Sequence, residues 1–152
     1  MAGRNVVLEM LPSTTIAGVT KSTTETYYGS PFALKDQSGK PITAIAVELD
    51  VTAAATDAGD ALDVAIQASL DGTNYVDVIA FTQCVGNGGA KRYFAKIAAA
   101  TAVTMFENGT ALTAGNIRDL WGSLIRVKYA VTNDSDSTVD TSFTFSVSAV
   151  LL

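Results

Sequence analysis

The chain contains no histidine, one cysteine, three prolines and one tryptophan among its 152 residues. The first two shortages each remove a class of function. Without histidine there is no Ser-His-Asp and no Cys-His arrangement for nucleophilic catalysis. A single cysteine, Cys84, excludes an intrachain disulfide and any multi-cysteine zinc site. It lies in the apolar stretch FTQCV and reads as a small core residue. Charge is also scarce. Charged residues make up 16% of the chain, against about 25% in ordinary globular proteins. Ala, Thr, Ser and Gly fill the gap. A surface so thin in charge has little to keep neighbouring molecules apart. Much of it is therefore expected to face other protein, a bland Thr/Ser surface on a monomer being the alternative.

The ten basic residues are outnumbered by 15 acidic ones, for a net charge of −5. The basic residues are scattered, with Lys91-Arg92 the only adjacent pair. Nucleic-acid binding needs clustered Lys and Arg to displace counterions, so nucleic acid is not an expected partner. A membrane is not expected either, because no stretch reaches the roughly 20 consecutive apolar residues of a spanning helix. The opening MAGRNVVLEMLPSTTIAG is interrupted by Asn5 and Glu9. It thus offers no uninterrupted apolar core of about 7–15 residues for an export signal. Synthesis in a cytoplasm is the expectation.

What the sequence does have is alternation. Ile45, Val47, Leu49 and Val51 are separated by Ala46, Glu48 and Asp50. Leu62, Val64, Ile66, Ala68 and Leu70 alternate with Asp63, Ala65, Gln67 and Ser69. Ile125, Val127, Tyr129 and Val131 do the same, as do Phe143, Phe145, Val147, Ala149 and Leu151. Period 2 marks strands with one buried face. The last of these strands reads as the longest. Asp71-Gly72 is a hairpin turn, since glycine takes positive φ cheaply and Asp tolerates it. Leu62–Phe81 therefore reads as one hairpin, with Gln67 and Ser69 turned outward. VGNGGAK (85–91) is a Gly-rich turn without phosphate-loop spacing, and RYFAKI (92–97) is a short strand. TAGNIRDLWG (113–122) has room for one helical turn, and Trp121 reads as a core or rim aromatic.

The expected fold is all-β, a β-sandwich or jelly-roll-like domain of about eight strands. Residues 31–152 would form the sandwich. Residues 1–30, rich in Thr and Ser and weakly patterned, read as an extended N-terminal arm with a possible first strand. An ordinary edge strand and loop is the alternative. The arm's exposed apolar and aromatic residues, Val6, Val7, Leu8, Tyr27 and Tyr28, are the candidate interface residues.

Chemistry is hard to place on this chain. The carboxylates that could pair, Asp57 with Asp60 and Asp134 with Asp136, lie in or beside loops, as does Asp140. They read as turn formers, and no enzyme and no cofactor is expected. TDAGD and NDSDS are rich in oxygen ligands but lack the Gly and distal Glu of an EF-hand loop, so no metal is expected. SLDGTNY has an S-x-D-G-x-x-aromatic form that resembles hairpins in discoidin-like sandwich modules. It keeps carbohydrate binding open, with Tyr75, Tyr93 or Trp121 as the aromatic.

Taken together, the apolar N-terminal segment, the weakly charged Ala/Thr strands, SLDGTNYVDV and the terminal TSFTFSVSAVLL resemble small virion proteins of tailed bacteriophages. The resemblance implies a non-enzymatic structural protein of the virion, most like a head decoration or cement protein. Its implied partners are the major capsid protein or other virion proteins, and a homo-oligomer, most simply a trimer. A tail, neck or fibre-associated sandwich with a carbohydrate-binding role is the alternative implication.

Overall fold

The computed structural model describes residues 6–36, 38–99, 111–118, 122–134 and 141–152. Trp121, Asp136 and Asp140 lie outside the described residues. In chain order the strands are β1 (Val6–Ala17), β2 (Thr24–Tyr28), β3 (Phe32–Ala33), β4 (Ala44–Ala53), β5 (Ala61–Ser69) and β6 (Val76–Ala80). They continue with β7 (Cys84–Val85), β8 (Lys91–Ala98), β9 (Asn116–Ile117), β10 (Leu124–Thr132) and β11 (Ser142–Leu151). They form two antiparallel sheets packed as a β-sandwich. One runs β1-β11-β4-β8, and the other runs β2-β10-β5-β6-β9, with β3 also on β10 and β7 also on β5.

Two of the short strands are continuations of longer ones. β2 pairs with Lys128–Thr132 of β10 and β3 with Leu124–Ile125 of the same strand, on one edge. β6 and β7 likewise share one edge of β5. Joining each pair leaves four long strands per sheet, with β9 added outside β6. Among these eight, the chain changes sheet at every connection except that from β5 to β6. That single exception is the Asp71-Gly72 hairpin, where Gly72 has φ +76°.

The core lies between the inward faces. Ile45, Val47, Leu49 and Val51 of β4 and Phe143, Phe145 and Val147 of β11 meet Leu62, Val64 and Ile66 of β5 and Ile125, Val127 and Val131 of β10, all buried. Alternation forces this outcome, because every second side chain on a strand falls on one face. Tyr129 bridges the sheets, edge-on to Phe145 with ring centroids 5.3 Å apart. Cys84 is buried, as its apolar stretch suggests.

Several expectations change. The described part of residues 1–30 does not reach away from the domain. β1 pairs along β11 from Val6↔Leu151 to Ala17↔Ser142, and β2 lies on β10. This is the edge-strand alternative, with one edge strand in each sheet. β1 is irregular between Glu9 and Thr14, around Pro12. Proline has no N–H for the ladder and is tolerated at such edge bulges. The bulge lets consecutive Met10 and Leu11 both bury, which breaks the period that would have revealed the strand. β1, with 12 residues, is also longer than β11, with ten. Leu70 leaves the core face and is 64% exposed, because the turn begins there. Gln67 and Ser69 face away from the core but are buried rather than free.

A candidate binding cleft and two further surfaces

Gln67 is buried because it is the middle of a polar row. The register sets Arg126 of β10 opposite Gln67 of β5, and Gln67 opposite Asp77 of β6. All three fall on the outer face of the larger sheet. Arg126 Nε donates to Gln67 Oε1 at 2.9 Å, and Gln67 Nε2 donates to Asp77 Oδ1 at 2.9 Å. The Leu112 amide donates to Asp77 Oδ2 at 3.3 Å. Gln67 and Asp77 are each only 6% exposed, so these bonds answer the need of buried polar groups for partners.

The Arg126 guanidinium is held on both sides. Its carbon lies 4.1 Å from the Tyr28 ring centroid and 3.7 Å from that of Tyr75. Both distances fall within the range of cation–π attraction. Tyr75 is delivered by the β5–β6 turn, which is itself tightly built. Asp71 Oδ1 accepts from the amides of Thr73 and Asn74, both at 2.8 Å, and Asp71 Oδ2 accepts from Asn74 Nδ2 at 2.7 Å. The backbone amides of Asn74 and Thr73 hold the Asp71 carboxyl far below the usual carboxylate range. The resulting cleft, about 320 Å³, is lined by Tyr28, Thr73, Asn74, Tyr75, Arg126 and Lys128, with the hydrogen-bonded Gln67 and Asp77 also in the lining. Among the described residues neither Arg126 nor Lys128 has an acidic partner.

A second surface lies on the outer face of β1-β11-β4-β8. Val7, Val150 and Ala46 stand side by side in register across three strands. With Phe94 of β8 they line an open groove of about 510 Å³. Val7 is 70% exposed and Phe94 74% exposed. Beside them Arg92 lies 3.6 Å from Glu48 and 3.3 Å from Asp50, exposed pairs of small energetic weight.

The third feature is acidic. The TDAGD loop and Asp134 at the start of NDSDS, read separately in the sequence, meet at one end of the sandwich. Carboxylate oxygens of Asp57, Asp60 and Asp134 lie within 4.8 Å of one another. Asp60 is buried and works as a tie: its Oδ2 accepts from Thr141 Oγ1 at 2.8 Å and its Oδ1 from the Asp134 amide at 3.1 Å. Gly59 leaves room here for Asp134: a Cβ on it would fall 1.7 Å from Asp134 Oδ2 and displace that side chain. Oxygen ligands of this kind suit a hard cation. The same oxygens also perform the structural work of closing the two loops.

The candidate interface residues separate by face. Val7 lines the groove, and Tyr28 lines the Arg126 cleft. Leu8 is partly buried against the core, and Tyr27 turns inward to stack on Tyr129 at 5.3 Å. Val6 opens β1 opposite Leu151, its side chain outside the described residues. Of the candidate aromatics, Tyr75 joins the cleft and Tyr93 packs against the core. Sequence reasoning missed Arg126, Gln67, Asp77 and Lys128. Their only signal is strand register, which no local pattern carries. No protein-family model matches the chain, and no curated protein is significantly similar to it.

Proposed function

We propose that this chain is a non-enzymatic structural protein of a tailed-phage virion that binds the head as a decoration protein. The observation that carries the reading is the apolar-rich groove on the outer face of the four-stranded sheet. Val7 and Phe94 are both largely exposed there, beside Val150 and Ala46. Contiguous exposed apolar surface on a small domain marks an interaction site. Two further features support the reading. The order of the eight long strands, with one hairpin and otherwise alternating sheets, agrees with a jelly-roll reading, an architecture used in viral capsid and lectin domains. The low charge also agrees with the depletion of Lys, Glu and Asp at interface cores. The partner in this reading is the major capsid protein, and the assembled form a homotrimer. The test is cosedimentation with purified heads of the virus that encodes the chain, with mass spectrometry of its virions. Saturable, stoichiometric binding is the expected result. Failure to bind at micromolar concentration, with absence from virions, overturns it.

A second reading, saccharide binding by a tail, neck or fibre-associated sandwich, is favoured by a different observation. The Arg126 cleft joins two tyrosine rings to polar side chains on a rigid turn. Convergent polar groups in a preformed concavity are what small-ligand sites share. A glycan array is its direct test.

A further inference from the structure

We infer that the Arg126 cleft binds the carboxylate of an acidic saccharide. The inference rests on the saccharide-binding reading and adds the ligand's charge and its anchor. It is independent of the capsid reading.

A guanidinium on a sheet surface is stabilised by a carboxylate directly opposite on the neighbouring strand. Here the carboxylate, Asp77, is displaced one strand further, and the neutral Gln67 amide stands between. Gln67 takes the Arg126 Nε donor and passes its own donor to Asp77. Among the described residues Arg126 is therefore oriented without a carboxylate in direct contact. Asp77 is occupied by Gln67 Nε2 and the Leu112 amide.

The guanidinium is also immobilised. Tyr28 and Tyr75 cover its two faces, and the Nε edge is engaged. The terminal amino groups are what remains, with no hydrogen-bond partner among the described residues. Arg126 itself lines the polar cleft. A planar fork of N–H donors with fixed orientation matches a carboxylate in bidentate geometry. Lys128 adds a second positive charge to the same lining.

The remaining walls select among carboxylates. Thr73, Asn74, Tyr28 and Tyr75, all residues with polar side chains, are part of the lining. A hydroxyl-rich ring finds partners there. An acidic side chain on a protein partner would ordinarily arrive within an apolar contact, which the interface cores of proteins supply. The cleft lining, with its many polar side chains, does not offer one. Its volume of about 320 Å³ sits at the small end of ligand pockets, roughly 300–1,000 Å³, as suits one sugar unit.

The experiment is an NMR titration of the full chain with D-glucuronate, D-glucose and N-acetyl-L-glutamate, repeated on R126Q and R126K. Glucuronate is expected to bind at millimolar concentration, at least tenfold more tightly than glucose or N-acetylglutamate. It should shift amides of residues 73–77 and 126–128. R126Q is expected to lose that preference, and R126K, which keeps the charge but not the fork, to retain part of it. K128Q serves where R126Q fails to fold, with a several-fold weakening expected. Equal binding of glucose and glucuronate overturns the charge assignment while leaving saccharide binding standing. Equal binding of N-acetylglutamate overturns the saccharide assignment and points to a protein carboxylate. No binding of any sugar overturns this inference and the saccharide reading together.

Discussion

Phe145 and Phe94 provide a matched pair for testing the two faces of one sheet. Phe145 of β11 is fully buried, flanked in register by Thr14 of β1 and Val51 of β4, and edge-on to Tyr129 of the opposite sheet. Phe145→Ala removes the ring from both layers at once and leaves a cavity that the paired strands cannot close. A buried Phe→Ala change of this kind costs about 3–5 kcal/mol. In a domain of this size each kcal/mol lowers the melting temperature by roughly 2–4 °C, so the expected drop is about 6–20 °C. Phe94 is the control. It belongs to the same sheet but is largely exposed on the outer face, where substitutions usually stay within about 0.5 kcal/mol. Urea unfolding of wild type, F145A and F94A measures both, with an unchanged slope confirming that the midpoint reports stability. A loss below about 1.5 kcal/mol in F145A, or equal losses in the two variants, refutes the assignment of inner and outer faces.

Asp71→Ala tests the rigid turn by its pH dependence. The folded carboxyl titrates below its unfolded value, so its contribution is complete above the unfolded pKa, about 3.9, and is lost as pH falls toward the folded value. The stability gap between wild type and D71A in urea is therefore expected to be constant near neutrality and to narrow below about pH 4; a gap independent of pH contradicts the turn geometry. Deleting residues 1–20 removes β1 and takes Met10, Leu11 and Val19 from the core. The expected product is insoluble or lacks a cooperative melt, and a soluble, cooperatively melting product shows that the edge is dispensable. Cys84 is buried and its thiol is pushed up by desolvation. It is expected to resist Ellman's reagent until denaturant is added, and rapid labelling of the native protein contradicts its core placement.

The long strands were legible because burial on one face imposes period 2 directly on the sequence. β10 and β11 alternate throughout and β4 does so up to Thr52. Asp71-Gly72 marks the place of the turn, although the connection runs over residues 70–75 and only Gly72 of the pair takes positive φ. Legibility fails where the pattern depends on another segment. β1 looked like an arm because its bulge buries adjacent Met10 and Leu11 and because an edge strand needs little apolar surface. Gln67 looked like solvent-facing polarity, yet its surroundings come from Asp77 ten residues away and Arg126 59 residues away. The acidic cluster has the same origin. Asp60 and Asp134 meet because Ala61 pairs with Thr132, a register that neither loop encodes.

The capsid reading stands or falls on whether the apolar outer face is the contact. The most direct measurement is saturation binding of wild type and F94D to intact heads, with melting temperatures recorded alongside. Stoichiometric binding by wild type and at least a tenfold loss for F94D, about 1.4 kcal/mol, are expected, with the melting temperature lowered only slightly, since the new carboxylate stands opposite Glu48 in register. Equal binding by both proteins contradicts the assignment of that face.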